Sequence, residues 1–133
     1  MNPLYPAVAR RAGHRCEYRR APEVAFNSRS EVEHIHPTSR GGRDEPANLA
    51  LSCRSCNAFK SDQVEGFDER TGEITALFNP REELWADHFQ YDPDTGEVFG
   101  LTQTGRATVQ LLGMNEAPQL LARTVWVQAR IYP

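Results

Sequence analysis

Cys53-Arg54-Ser55-Cys56 is the tightest constraint in this chain, because two thiols at that spacing can grip one cation, and the sequence offers a single further cysteine, Cys16. Three is an odd number, and a Cys-x-x-Cys pair suits a metal better than a disulfide framework in a reducing compartment. Cys16 lies in "RCEYRR", where a second Cys-x-x-Cys pair would place its other thiol at position 19; Arg19 stands there instead. A guanidinium is not a metal ligand. Cys16 is then half of a zinc site, the relic of one, or only a buried thiol.

A length of 133 residues suits one domain with a single modest core. The composition, 39% hydrophobic and 25% charged, is that of an ordinary folded chain. Its apolar runs are too short to span a bilayer, and the opening "MNPLYPAVARR" has no apolar leader segment. A cytoplasmic protein without membrane contact is the expectation. The net charge of −3 is unevenly placed: residues 1–60 carry ten Lys and Arg against six Asp and Glu, residues 61–133 five against twelve. A basic first half can face phosphates on an acidic chain, although the same arginines also make an ordinary solvated surface.

Punctuation by Pro and Gly suggests the elements. "NPLYPAVARRAGHR" reads as a short helix with Pro6 in its first turn, ending before Cys16. "EVAFNS" and "SEVEHIHP" read as the two strands of an antiparallel ribbon, with Glu33 and His34 on opposite faces. "TSRGGRDEPAN" is a loop, and a helix is expected from Cys56 onward. In the second half "FDERTGEITALF" and "YDPDTGEVFGLT" repeat an Asp-x-x-Thr-Gly-Glu pattern, which predicts two hairpins and lacks the oxygen spacing of a calcium loop. "NPREELWADHF" reads as a helix with Leu84, Trp85, His88 and Phe89 on one face and His88 as a surface histidine. Two helical stretches close the chain, the second capped by Asn115 with Leu120, Leu121 and Val125 inward.

The chemistry is concentrated in residues 31–60, "EVEHIHPTSRGGRDEPANLALSCRSCNAFK". A ribbon ending in Glu33-His34 and a helix beginning near Asn57 can converge on one divalent ion, with Glu33 and the Asn57 side-chain oxygen as hard ligands. Such an open site draws in the oxygens of a phosphodiester, and His34 is placed to take a proton from an attacking water. His36 shares the His34 face of a regular strand and reads either as a phosphate contact or as a solvated histidine.

These landmarks, in this order, resemble the HNH endonuclease family and its ββα-metal fold over residues 16–60. Residues 64–114 resemble the C-terminal extension of small bacterial members of that family. The resemblance implies an α+β fold in one domain: an N-terminal helix, a ββα-metal core motif over 14–62, and a hairpin and helix extension over 63–133. It implies hydrolysis of nucleic acid, in the first place DNA, with Mg²⁺ or Mn²⁺, leaving 5′-phosphate and 3′-hydroxyl ends; the alternative is a binding module that kept the fold without the activity. By residue, Glu33 and Asn57 match the metal ligands, His34 the general base, and Asn48 the residue that braces the loop and orients the base. Arg40, Arg43, Arg54, Lys60 and His36 become the nucleic-acid contacts. Cys16, Cys53 and Cys56 match an incomplete structural zinc knuckle, for which three outcomes stay open: zinc completed by His14, His36 or water, a weak zinc, or none.

Overall fold

The protein is described by a computed structural model covering residues 1–133. Its centre is a two-stranded antiparallel ribbon, Glu31–His34 (β1) and Leu49–Ser52 (β2), in which Glu33 faces Ala50 and His34 faces Leu49. Helix α2, Arg54–Lys60, begins directly after β2 with Cys53 as its N-cap. The ribbon partner differs from the one expected. Residues 23–25 of "EVAFNS" form a single 3₁₀ turn, because the Glu23 carboxylate accepts hydrogen bonds from the Tyr5 hydroxyl at 2.7 Å and the Ser30 amide at 2.7 Å and so bends the segment back on itself. β2 takes its place, and all four of its residues are buried.

Alternation along the ribbon builds two separate faces. Leu49, Leu51 and Val32 pack on one side against Tyr5, Val8 and Ala9 of the N-terminal helix α1, Tyr5–Arg11. The other side carries Glu31, Glu33 and Ala50 toward α2. Cys16, Tyr18, Cys53 and Cys56 lie in the larger core together with Phe78, Phe89, Val98, Leu112, Met114, Trp126 and Tyr132, so the cysteines occupy the seam between core motif and extension.

Both repeat copies are hairpins, Glu65–Asp68 with Glu73–Ala76 (β3, β4) and Phe89–Tyr91 with Val98–Gly100 (β5, β6). In each, the first Asp of the pattern accepts a bond from the amide of the glycine, Gly72 N to Asp68 O and Gly96 N to Asp92 O, both 2.8 Å. Gly96 has a second reason to be glycine: it has φ +76°, and a Cβ there would lie 2.5 Å from the Leu120 carbonyl oxygen. The helix expected over "NPREELWADHF" shrinks to one turn, Trp85–His88 (α3), because Phe89 is drawn into β5, and Leu84 is exposed. His88 is tied to Thr102 Oγ1 at 2.6 Å and Glu83 at 2.9 Å.

Helices α4, Gln103–Leu111, and α5, Ala117–Gln128, close the fold, and none of the helices is long and apolar enough to cross a membrane. Asn115 does not cap α5. Its amide bonds both backbone groups of Val98 at 2.8 Å, and Glu116 holds the cap position. The inward face of α5 is also not the expected one: Arg123 and Trp126 are buried, whereas Leu121 and Val125 are exposed. Arg123 outcompetes them because it donates to two otherwise unpaired carbonyls, Gly96 at 2.5 Å and Met114 at 3.0 Å.

Asp68 ties the first hairpin to α4 through two hydrogen bonds from Arg106, 2.8 and 2.9 Å. Arg106, with Thr71 and the Arg70 amide, outweighs the burial that would raise the carboxyl and holds it well below the usual carboxylate range. The unfolded chain then binds a proton that the folded chain refuses, so this contribution is complete above pH ~4 and is lost as pH falls further. Asp68→Asn is expected to lower the thermal midpoint at pH 7, and the gap from wild type should begin to narrow in melts taken below pH ~4 without closing by pH ~3.

Candidate active site

Three of the residues singled out in the sequence, Glu33, His34 and His36, lie on or beside β1, and its pleat separates Glu33 from His34. Glu31 and Glu33 look toward α2. His34 looks the other way, sharing the Val32 face, as the alternation required.

Glu33 is buried. Lys60 Nζ lies 2.6 Å from its Oε1 and the Tyr18 hydroxyl donates to its Oε2 at 2.6 Å. Burial pushes the Glu33 carboxyl up, against the pull of Lys60 and Tyr18. Lys60 also donates to the Ile35 carbonyl at 3.0 Å and is only 2% exposed. That corrects the expectation that Lys60 meets nucleic acid: its ammonium is used up inside the fold, pinning the end of α2 to β1. The carboxylate brought to Asn57 is Glu31, two residues earlier on the same face of the strand, which accepts a hydrogen bond from Asn57 Nδ2. Asn57 therefore meets a half-exposed acid at the surface, while the acid expected beside it lies paired in the interior. A carboxylate is a hard donor that suits a divalent cation, and Asn57 joins it as a second such donor when its amide turns the oxygen in place of the nitrogen toward Glu31.

On the other face, His34 Nε2 contacts Asp44 Oδ1. A carboxylate only accepts, so Nε2 is the donor, and in the neutral ring the lone pair is on Nδ1. Asp44 was missed in the sequence because nothing local marks it; it reaches His34 only through the fold of the loop. Asn48 organises that loop. Its Oδ1 accepts from the His36 amide at 2.8 Å, and its Nδ2 donates to the carbonyls of His36 and Arg43, each at 3.0 Å. The Gly-Gly pair serves the same closure, since a Cβ on Gly42 would lie 1.8 Å from the His36 carbonyl oxygen. His36 falls beyond the end of β1, and its Nε2 donates to the Arg40 carbonyl at 2.9 Å.

Arg40, Arg43 and Arg54 are exposed on the loop and the first turn of α2. Arg40 Nε donates to the Asp62 carbonyl at 2.8 Å, whereas the ion pairs of Arg43 with Glu45, 3.7 Å, and of Arg54 with Glu31, 3.9 Å, are long and solvated. A cavity of about 450 Å³ lies behind Asn48 and Lys60, and Glu82 and Glu83 on its wall make it a poor place for phosphate.

The three cysteine sulfurs lie within 4.8 Å of one another, all buried, close enough for a single metal ion. The fourth corner does not fit a closed zinc site. His14 Nδ1 faces Glu23 at 2.8 Å and His36 is bound to Arg40, so neither expected ligand approaches. Arg19 does, with its Nε 2.9 Å from Cys53 Sγ. Hydrogen bonds from the Cys16 and Cys56 thiols, joined by Arg19, pull the Cys53 thiol down, whereas burial pushes Cys16 up.

Residues 14–63 match the family model of the HNH endonuclease. This segment, with its ribbon, braced loop and helix, is therefore similar to an HNH endonuclease domain, and that similarity supports a nuclease-type function in broad terms. No curated protein and no solved structure matches the chain.

Asn48 carries three of the bonds that close the loop under His34. Asn48→Ala is expected to cost about 1–3 kcal/mol of stability, and hydrogen exchange of the amides in residues 36–45 should rise well beyond the global change.

Proposed function

We propose that the protein is a metal-dependent endonuclease that hydrolyses phosphodiester bonds in DNA. The observation that carries this reading is the division of β1 inside the HNH segment: on one face an acid meets the helix-borne Asn57, and at the strand end an imidazole keeps Nδ1 free because Asp44 holds Nε2.

Glu31 and Asn57 would hold the divalent ion, with Glu33 behind them on the same face, its charge already met by Lys60. When bound, Mg²⁺ or Mn²⁺ stabilises charge developing on the phosphate and the leaving oxygen. His34 Nδ1 takes a proton from water as the water oxygen bonds to phosphorus. Asp44 keeps the imidazole in the useful tautomer and offsets its positive charge once protonated. The phosphorus to O3′ bond breaks, the 3′ oxygen takes up a proton, and 5′-phosphate and 3′-hydroxyl ends result. Asn48 holds the loop that carries Asp44. Arg40, Arg43 and Arg54 supply sequence-independent attraction for the backbone, which weakens with salt. Contacts to the phosphate backbone carry no sequence information, so cleavage is expected to show little sequence preference.

Nicking of supercoiled plasmid with Mg²⁺ or Mn²⁺ tests the reading. His34→Ala should lose about 10²–10⁴ in rate, and Asp44→Asn at least about tenfold, with DNA affinity retained in both. Equal nicking by wild type and His34→Ala sinks the base assignment. Plasmid binding with no nicking in either metal would make the chain a binding module.

The two acids are separated by a metal titration of the rate. Glu31→Gln is expected to raise the Mg²⁺ concentration for half-maximal nicking at least about tenfold, as loss of a charged ligand does. Glu33→Gln should act mainly on the thermal midpoint. The reverse pattern would place the ion on Glu33 in exchange for the Lys60 ammonium.

A further inference from the structure

The segment Cys16–Ala21 keeps the shape of a metal knuckle. It is closed by Cys16 N to Ala21 O and Arg20 N to Cys16 O, both 2.9 Å, with Arg20 in the left-handed region at φ +64°. That turn aims residue 19 at the cysteines. Arg19 is 4% exposed, its Nε donates to Cys53 Sγ at 2.9 Å, and its guanidinium carbon lies 5.9 Å from the Phe26 ring centre and 5.8 Å from that of Trp126. One edge of the cation thus meets sulfur while two aromatic rings surround the rest, a setting that holds a guanidinium in place.

The neighbouring residues are fixed just as closely, and largely by the extension. Glu17 pairs with β2 through Glu17 N to Leu51 O and Leu51 N to Glu17 Oε2, both 2.8 Å, and its other oxygen meets Arg81. Trp85 Nε1 donates to the Tyr18 carbonyl at 2.7 Å, and the Tyr132 hydroxyl to the Arg19 carbonyl at 3.0 Å. A structural metal ties the segment before a ribbon to the start of the following helix; here side chains from α3, α5 and the C-terminal tail make those ties.

We propose that Arg19 replaces the structural metal: the knuckle is a metal-free cluster of three cysteine sulfurs closed by a guanidinium and clamped by the C-terminal extension. The inference is independent of the nuclease reading, because it concerns how the segment is held and not what the site cleaves. It implies that one substitution separates this cluster from a zinc site, since a cysteine at position 19 completes two Cys-x-x-Cys pairs.

The test is metal content and its effect on melting. Wild-type protein purified without chelator should contain far less than one zinc per chain, and its thermal midpoint should be the same in EDTA and in added zinc. Arg19→Cys should take up one zinc per chain, melt lower on chelation, and with Co²⁺ alone develop the sulfur-to-cobalt absorption that wild type lacks. One zinc per wild-type chain, with a midpoint that falls several degrees in EDTA, overturns the proposal whether or not the variant folds. A folded Arg19→Cys that binds neither Zn²⁺ nor Co²⁺ overturns it as well, because Arg19 would then not occupy the fourth corner.

Discussion

A guanidinium buried against a cysteine sulfur is the contact on which the rest of this structure depends. Cys53 caps α2 and Cys56 lies in its first turn, so whatever holds the cysteines also sets where α2 starts and where Asn57 points. The same knuckle sends Tyr18 to Glu33, and Glu33 holds Lys60 at the far end of α2. Helix α2 is therefore pinned at both ends from one short turn. Burying an unpaired ion costs several kcal/mol, which is why Arg19 and Lys60 both have partners at bonding distance, and why removing a partner would weigh more than removing any surface arginine.

These pairs also explain where charge ended up. The basic first half suggested an open phosphate-binding surface, but its cations divide into two populations. Arg19 and Lys60 are interior, and Arg11 binds the carbonyls of Pro46 and Leu49 with its guanidinium. Arg40, Arg43 and Arg54 stay exposed around the loop and the α2 start. Charge counted along the chain overstates the surface field, because the buried cations are matched by Glu33 and cysteine sulfur.

The sequence was most legible where spacing alone decides the outcome. Glu33 and His34 take opposite faces because a strand alternates, and the two Asp-x-x-Thr-Gly-Glu copies make the same hairpin; the Asn48 brace was implied only by the family resemblance, and its amide bonds two backbone segments at once. It was least legible where a residue's partner is distant in sequence. "EVAFNS" has strand composition, yet Glu23 folds it into a turn by binding Tyr5 and Ser30. Leu121 and Val125 gave α5 a plausible inner face, yet the interior went to Arg123, which alone satisfies the Gly96 and Met114 carbonyls. Asp44 and Glu31 were unmarked for the same reason: each matters through one neighbour that only the fold supplies.

Loss of a fourth cysteine need not carry the rest of the domain with it, because the work of a structural metal is divisible. A metal fixes four ligands through one centre. Here the centre is exchanged for a planar cation that makes one short bond to sulfur, and the remaining positional demand passes to separate contacts at Glu17, Tyr18 and Arg19 from β2, Trp85 and Tyr132. Such contacts are individually weak, about 1 kcal/mol each for neutral hydrogen bonds, so several are needed where one metal would do. That requirement gives the extension a structural reason to exist: Trp85 and Tyr132 add holds on the Tyr18 and Arg19 carbonyls to those that Glu17, Tyr18 and Arg19 make within the core motif.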